Sequence, residues 1–268
     1  MLQKYQDLLD NLRTMQRVIV AFSGGVDSTL LLYAAREALG DEVLAVTLAP
    51  PYVPQAEVQE ARQVADLTGV RHLVVDQPFP EVIRNNPPDH CYLCKHHLFS
   101  LLKGMATDLR ASEVLEGTNV DDLDDYRPGF KALKELGIKS PLLRAGLSKI
   151  EVRVLLRTFG IDGWDKPAKA CLLSRLPVDT RVDEAELRRV EAGEALLARA
   201  GFPSARLRSH GAIARIEVAV NEIPALIMAS IEQPEGLEVA LRSLGYRHVT
   251  VDLAGYRMGS MNALPITP

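Results

Sequence analysis

Long apolar runs, cysteines and excess positive charge are all scarce in this chain of 268 residues. No apolar stretch reaches the ~18 residues of a transmembrane candidate, so no membrane partner is expected. The first residues carry acid among their apolar side chains and lack a signal-peptide core, which makes the cytoplasm the expected location. The net charge of −4 argues against nucleic acid as the main partner. The three cysteines, an odd number, do not suit a disulfide framework.

The composition is otherwise ordinary for a globular protein, with 47% hydrophobic and 25% charged residues. The first part of the chain alternates apolar, strand-like runs with amphipathic, helix-like runs. The predicted strands are 17–22, 44–48, 72–76 and 113–116, and the predicted helices are 30–39, 55–68, 91–109 and 147–159. Such alternation is typical of a parallel sheet covered on both faces. The expected fold class is α/β, a doubly wound parallel sheet that binds ligands at the carboxyl ends of its strands.

The pattern changes around residue 180. A long helix is predicted over 183–200, followed by strands at 205–208 and 212–220, two short helices and a last strand at 247–253. This spacing does not continue the first sheet. We therefore expect two domains: an α/β domain over residues 1–180 and a small α+β domain over 181–268, the second serving in substrate binding or oligomerisation.

The most informative motif is S-G-G-V-D-S-T at residues 23–29, between the first predicted strand and helix. Free N–H groups and the positive end of the helix dipole converge at such a turn and form a phosphate cradle. Gly24 and Gly25 permit close backbone approach, and the Asp27 carboxylate suits Mg²⁺. No lysine follows, unlike the GxxxxGK[ST] loop. The motif resembles the PP-loop of the ATP pyrophosphatases, which implies an enzyme that splits ATP between its α- and β-phosphates.

Further candidates for ATP binding follow neighbouring predicted strands. Thr47 lies in the second strand, and Gly117-Thr118-Asn119 follows the fourth, so both are expected at the same edge as the loop. The predicted ATP-binding residues are Ser23, Gly24, Gly25, Asp27, Ser28, Thr29, Thr47, Gly117 and Thr118.

Two polar groups near these residues allow more than one interpretation. In the acidic run after Asn119, Asp122 is a candidate for the ATP or metal site, whereas Asp124 is expected in a solvated loop. Lys149 and Arg153 share one face of a helix, as a surface pair or as phosphate contacts.

The three cysteines form a second motif: Cys91 and Cys94 lie in Cys-Tyr-Leu-Cys at a predicted helix start, and Cys171 follows much later. The spacing puts the first two thiols on one side of the helix, and the helix N-terminus favours thiolate. Three thiolates suit three irons of a [4Fe–4S] cluster and leave the fourth iron open. Zinc would need a fourth ligand, and the candidates are His90, His96 and His97. Metal-free redox or sulfur-donor thiols and three unrelated core cysteines are the alternatives.

Together these motifs resemble the LarE family over nearly the whole chain. The resemblance rests on residues 23–29, 91–95, 116–119, 140–142, 166–175 and 214–217. It implies ATP-dependent adenylation of the carboxylates of pyridinium-3,5-biscarboxylic acid mononucleotide with release of pyrophosphate, and then replacement of oxygen by sulfur. This chemistry belongs to the biosynthesis of the nickel-pincer nucleotide of lactate racemase and related enzymes. The resemblance also implies a homo-oligomer, with a hexamer as the expected assembly.

The family resemblance implies two sulfur sources. In one subtype a cysteine matching Cys171 surrenders its sulfur and becomes dehydroalanine. In the other, three cysteines hold a [4Fe–4S] cluster whose open iron binds hydrosulfide from a sulfide donor. Because Cys91, Cys94 and Cys171 are all present, we predict the cluster route with these three as catalytic residues, and sacrificial donation by Cys171 as the alternative.

The second domain carries the candidates for substrate binding. Arg206, Arg208 and Arg215 alternate along predicted strands and are expected to bind the mononucleotide phosphate. Glu194 falls on the apolar stripe of the long helix, where a carboxylate needs a partner, a metal or a function. The predicted substrate-binding residues are Ser174, Arg175, Arg206, Arg208, Arg215, Glu194 and Glu217.

Three other functions fit parts of the sequence. A tRNA thiolase of the PP-loop class would also use cysteines, but it would need a basic RNA-binding surface. An amide-forming synthetase related to the NAD or GMP synthetases would use ammonia and would have no need of the three cysteines. A non-catalytic ATP sensor would bind ATP without releasing pyrophosphate, so a pyrophosphate assay separates it from the enzymes.

Overall fold

A computed structural model describes residues 1–123, 129–167, 170–231 and 236–257. The chain divides into two compact units, Met1–Val82 with Asp89–Ala168, and Ile83–Pro88 with Lys169–Pro268. The second unit therefore begins before the boundary predicted at residue 180 and includes a short segment from the first half of the chain. Asp124 and the C-terminal residues 258–268 lie outside the described residues.

Hydrogen bonds within the second unit explain why Ile83–Pro88 belongs to it. The side-chain amide of the buried Asn86 donates to the carbonyl oxygens of Leu176 and Pro177, at 3.3 and 3.0 Å. The backbone N–H of Val182 donates to the carbonyl oxygen of Arg84 at 2.8 Å. These bonds satisfy buried polar groups that would otherwise cost free energy.

The first unit is built around a four-stranded parallel sheet in the order β3-β2-β1-β4. Its elements are α1 Leu2–Arg13, β1 Val18–Ala21, α2 Val26–Leu39, β2 Val43–Ala49, α3 Gln55–Thr68, β3 Arg71–Asp76, α4 His90–Asp108, β4 Glu113–Leu115, α5 Gly129–Glu135, α6 Pro141–Arg144 and α7 Lys149–Thr158. The four predicted strands and their helices are confirmed within a few residues. Helices α1, α5 and α6 were not predicted.

Both faces of the sheet are buried at the inner strand β1, as its continuous apolar run predicted, whereas the edge strand β3 is partly exposed. Val18 and Val20 of β1 pack in the larger core, which contains apolar residues of α1, α2 and α7. Ile19 points to the opposite face and packs in a second core with Leu102 of α4. Alternate residues of one strand thus reach helices on opposite sides, which requires apolar residues at every position. The predicted doubly wound α/β fold is confirmed.

The second unit is a small α+β structure. Its elements are α8 Glu184–Arg199, β5 Arg206–His210, β6 Ile213–Glu217, α9 Ile223–Ile231, α10 Leu237–Ser243 and β7 His248–Val251. β5 and β6 form an antiparallel hairpin, and β7 pairs with β6 in parallel. Helix α8 packs closely on β5 at Gly193. A Cβ at this position would lie only 2.4 Å from Leu207 Cδ1. Among the described residues, no helix has the length and apolar character needed to cross a membrane.

Candidate functional site

The predicted phosphate loop lies between β1 and α2, in the strand–turn–helix context that its motif requires. Gly24 has a φ of +70°, a conformation that L side chains rarely adopt. A Cβ at Gly24 would also lie 2.8 Å from the Cα of Ala61 in α3, closer than real Cβ atoms approach. The turn therefore requires glycine for its backbone conformation and for the packing of α3.

The hydroxyl groups of the loop hold its own backbone. Ser28 Oγ donates to the Gly25 carbonyl oxygen at 3.0 Å, so Ser23 Oγ is the donor in its 3.1 Å contact with Ser28 Oγ. The Gly25 N–H donates to Ser23 Oγ at 3.3 Å. Gly25 is the N-cap of α2, and no side chain of the described part of the chain caps this helix. Its first-turn N–H groups and its dipole are therefore available to an anion.

The loop after β4 lies against the start of α2. A Cβ on Gly117 would lie 2.9 Å from the backbone nitrogen of Ser28. The buried Glu116 carboxylate accepts from the Thr118 N–H at 3.1 Å and from the Thr118 hydroxyl at 2.7 Å. It also accepts from the Ser140 hydroxyl. The sequence predicted that these two loops meet, but it did not single out Glu116 as the anchor of the second loop.

Asp27, the predicted magnesium ligand, has a partner on each carboxylate oxygen. Oδ1 accepts from the side-chain amide of Asn119 at 3.0 Å, and Oδ2 accepts from the Lys149 ammonium. Lys149 begins α7, where Ser148 and Glu151 form a capping box. The sequence left Lys149 and Arg153 as either surface or phosphate-binding residues. In the structure the two residues have different partners. Lys149 binds Asp27 of the phosphate loop, whereas Arg153 donates to carbonyl oxygens in the segment after α7.

The acidic run after Asn119 has two described members that support the loop. Asp122 is buried, and its carboxylate accepts from the Asn119 N–H at 3.0 Å. Asp121 accepts from the Lys149 N–H at 2.7 Å. The described aspartates thus connect the loop after β4 to the start of α7.

Thr47 uses its hydroxyl inside the sheet. Its Oγ1 donates to the Phe22 carbonyl oxygen at 2.6 Å and lies 2.8 Å from His72 Nε2. Because the single hydroxyl proton goes to Phe22, His72 Nε2 is the donor in the second contact. Burial lowers the pKa of His72, which agrees with a neutral ring. A contact between Thr47 and ATP stays a prediction.

Cys91 and Cys94 lie in the first turns of α4 and have different surroundings. Cys91 is exposed, whereas Cys94 is half-buried and its Sγ lies 3.0 Å from the hydroxyl of Tyr52. The surrounding protein raises the pKa of the Cys91 thiol, and the charge of Lys95 only opposes this effect. The prediction that the helix N-terminus favours thiolate at these two cysteines stays a prediction.

No three His, Cys, Asp or Glu side chains within the described ranges are arranged to hold a metal ion. The cluster, the zinc site and the metal-free thiols that the sequence left open therefore stay predictions. The chemistry of the donor set, two thiols one turn apart on α4 and a third cysteine later in the chain, fits iron–sulfur ligation.

The backbone around Cys171 is fixed by hydrogen bonds from the residues that follow it. Ser174 Oγ donates to the Cys171 carbonyl oxygen at 2.9 Å. The guanidinium of Arg175, 3% exposed, donates to the carbonyl oxygens of Ala170 and Cys171 at 2.9 and 3.2 Å. These two residues, predicted to bind substrate, thus also position the cysteine.

Arg175 forms a two-pronged ion pair with Glu194 of α8, at 2.9 and 3.2 Å. The same carboxylate accepts from the Leu207 N–H of β5 at 3.1 Å. Of the alternatives that the sequence left open for Glu194, a partner, a metal or a function, the structure shows a partner, and this contact connects the Cys171 segment to the sheet of the second unit.

Glu217 joins two of the predicted arginines. Its fully buried carboxylate accepts from Arg208 at 2.7 and 3.0 Å and from Arg215 at 3.0 Å. Arg208 and Arg215 lie opposite each other on β5 and β6, and Arg208 also donates to the Ser174 carbonyl oxygen at 2.8 Å. A carboxylate between two guanidinium groups compensates their repulsion and their lost hydration.

Arg206 differs from the other predicted arginines. Among the described residues it forms no ion pair, and its guanidinium donates to the carbonyl oxygens of Ser204 and Ala205, both at 3.1 Å. Burial and the charge of Arg175 lower its pKa. A partly buried guanidinium beside a second cation, without an ion pair in the described part of the chain, is suited to bind an anion.

Comparison with known proteins extends over both units. The family model of the queuosine biosynthesis protein QueC matches residues 17–87, which include the phosphate loop. A pyridinium-3,5-bisthiocarboxylic acid mononucleotide synthase of Lactiplantibacillus plantarum is 37% identical over 262 residues, 97% of this chain and 94% of that protein. An uncharacterized protein of Synechocystis sp. is 37% identical over 261 residues, 95% of this chain and 96% of that protein.

A third relative shares a shorter region. The tRNA-specific 2-thiouridylase MnmA of Rhodospirillum rubrum is 32% identical over 192 residues, 56% of this chain and 51% of that protein. The first two relatives thus match the chain almost from end to end, whereas the thiouridylase matches about half of it.

Proposed function

This chain belongs to the LarE family of ATP-using sulfurtransferases, and from this we propose that its substrate is pyridinium-3,5-biscarboxylic acid mononucleotide. The proposed reaction adenylates each carboxylate, releases pyrophosphate and replaces one oxygen by sulfur, as a step toward a nickel-pincer nucleotide. The structural observation that supports the proposal is the start of α2. It follows the glycine turn without a side-chain cap, so its N–H groups can bind a nucleotide phosphate.

The first half-reaction needs little acid–base catalysis, because the carboxylate nucleophile is already ionised. A substrate carboxylate oxygen attacks the α-phosphorus of ATP, the bond to the bridging oxygen of the β-phosphate breaks, and pyrophosphate leaves with that electron pair. The loop N–H groups stabilise the negative charge that develops on the phosphates. Asp27 offers a carboxylate to Mg²⁺, which would neutralise the leaving pyrophosphate, and Lys149 adds a positive charge beside it.

In the second half-reaction a sulfur nucleophile attacks the carbonyl carbon of the acyl-adenylate, and AMP leaves. We propose Cys91, Cys94 and Cys171 as the ligands of a [4Fe–4S] cluster, which would supply an open iron to which sulfide binds. In the sacrificial alternative, Cys171 Sγ attacks instead, and its Cβ–S bond then breaks by elimination to leave dehydroalanine.

Iron and acid-labile sulfide distinguish these two sources. Anaerobically purified protein is expected to contain about four irons and four sulfides per chain, and Cys91→Ser is expected to lose most of them because one ligand is gone. The matched control is Ser100→Ala, a change of similar size on the same helix. Iron-free protein that thiolates its substrate once, with a dehydroalanine at position 171 by mass spectrometry, would contradict the cluster and support the sacrificial route.

We propose that Arg206 is the first contact of the mononucleotide phosphate, because Arg175, Arg208 and Arg215 are paired with carboxylates. Glu194 and Glu217 would hold those three guanidinium groups in place, and Ser174 would position Cys171. An incoming phosphate would then find in Arg206 a guanidinium that forms no ion pair among the described residues.

Arg206→Ala is expected to raise the KM for the mononucleotide about 10- to 100-fold, the effect of losing a hydrogen bond to a charged group. The KM for ATP is expected to change little, because ATP binds at the phosphate loop. Arg199→Ala, at the exposed end of α8, is the matched control. The measurement is pyrophosphate release at varied mononucleotide and fixed ATP. An unchanged KM for the mononucleotide would remove Arg206 from the substrate site.

Pyrophosphate release also separates the proposed function from its rivals. We expect release from ATP that depends on the mononucleotide. Release that depends on tRNA would point to a thiouridylase, and release that depends on ammonia would point to an amide-forming synthetase. ATP binding with no release under any of these conditions would leave a nucleotide sensor.

We further propose a homo-oligomer, a hexamer as the family resemblance implies, acting in the cytoplasm, where thiols stay reduced. Light scattering on the purified protein gives the number of chains in the assembly.

A further inference from the structure

Tyr52 connects the cysteine-bearing helix to the edge of the sheet. It lies after the end of β2 and is 2% exposed, with its ring packed edge-on against Phe79 at 5.5 Å between centroids. Its hydroxyl lies 3.0 Å from Cys94 Sγ. A buried phenol hydroxyl needs a hydrogen-bond partner, and a sulfur atom lies at that distance here.

The contact between Tyr52 and Cys94 lies at the same edge of the sheet as the phosphate loop. The first four residues of β2 pair with β1, and the N–H of Phe22, just before the loop, donates to the Val46 carbonyl oxygen of β2. Tyr52 follows β2 at the same, carboxyl-terminal edge of the sheet. The phosphate loop and Cys94 are therefore both attached to the ends of neighbouring strands within the first unit.

We propose that Tyr52 is a positioning residue for sulfur transfer, whose hydroxyl donates to Cys94 Sγ and holds this sulfur at the carboxyl-terminal edge of the sheet. The role in sulfur transfer rests on the proposed function, whereas the hydrogen bond itself does not. A thiolate only accepts hydrogen bonds, so Tyr52 is the donor whenever Cys94 is ionised. Cys91 is exposed, and the two cysteines are therefore expected to react differently.

The test uses Tyr52→Phe, which keeps the ring and removes only the hydroxyl. The control is Tyr5→Phe, because Tyr5 is also buried and its hydroxyl binds Glu37 Oε2 at 2.7 Å, in α2 and away from the cysteines. In metal-free protein, alkylation of Cys91 and Cys94 by iodoacetamide is followed by peptide mass spectrometry. Rates are measured between about pH 7 and pH 9, where a tyrosine phenol keeps its proton, and the rate constant of each thiolate is obtained from a fit to the pH dependence.

The rate constant of the Cys94 thiolate is expected to rise about threefold to tenfold in Tyr52→Phe, because the thiolate loses a hydrogen bond that lowers its nucleophilicity. Cys91 is expected to react unchanged in both variants. Equal Cys94 rates in wild type and Tyr52→Phe would overturn the proposal, and so would an equal rise at Cys91.

A second readout tests the role in sulfur transfer. In the loaded enzyme, Tyr52→Phe is expected to lower the thiolation rate about tenfold while pyrophosphate release stays within about twofold of wild type, because only the sulfur step needs Cys94 in place. Equal losses in both half-reactions would indicate general damage and overturn the positioning role. If wild-type protein makes no thiolated product, the proposed function fails, and the alkylation result still decides the Tyr52–Cys94 contact.

Discussion

Gly24→Ala is expected to lower the rate of pyrophosphate release by about 100-fold or more, because misplacing a phosphate-binding backbone by about 1 Å has an effect of this size. The added Cβ would lie 2.8 Å from the Cα of Ala61, an atom of a helix backbone that cannot rotate away. The turn or α3 must move, and the N–H groups of the loop move with it. Pyrophosphate release at saturating ATP is the measurement.

Gly40→Ala is the matched control for this variant. Gly40 also has a positive φ, +60°, but a Cβ there would meet nothing within 4 Å. Both variants therefore place a side chain on a backbone with positive φ, and only Gly24→Ala adds a collision. A fall in rate of similar size in both variants would contradict the account, because strain alone would then explain it.

Glu217→Ala is expected to lower the free energy of unfolding of the second unit by about 3–5 kcal/mol, since it takes this carboxylate away from the buried guanidinium of Arg208. Glu217 is 0% exposed and accepts three hydrogen bonds from Arg208 and Arg215. Hydrogen–deuterium exchange of the amides of β5 and β6, followed in urea, reports on this unit separately from the first.

The control for Glu217→Ala is Glu238→Ala. Glu238 pairs with Arg242 at 3.5 Å on α10, where both side chains are more than 40% exposed. An exposed pair of this kind contributes at most about 1 kcal/mol. A loss in Glu217→Ala no larger than that of the control would mean that the buried arginines do not depend on this carboxylate.

Local patterns in the sequence were sufficient to predict the sheet. Apolar runs of strand length, separated by helix-length segments, predicted all four strands of the first unit, and Gly69 marked the end of α3 correctly. Helix α1 was missed although its buried residues Tyr5, Leu8, Leu9 and Leu12 have helical spacing. The start of the second unit was misplaced because it depends on hydrogen bonds of Asn86 to residues about 90 positions away.

In the candidate site, too, features formed by neighbouring residues could be predicted, whereas contacts between distant residues could not. The glycine turn is local, and its motif predicted it. Asp27 pairs with Lys149, and Glu217 pairs with Arg208. The sequence identified each of these residues as a candidate, but it could not predict which of them pair.

The most direct test of the central claim is mass spectrometry of the mononucleotide itself. Anaerobic protein is incubated with ATP, Mg²⁺, sulfide and pyridinium-3,5-biscarboxylic acid mononucleotide, and pyrophosphate is measured in parallel. We predict exchange of oxygen for sulfur at one carboxylate and then at both, with one pyrophosphate for each sulfur gained. Pyrophosphate release with an unchanged mononucleotide, or a thiolated tRNA in its place, would contradict the account.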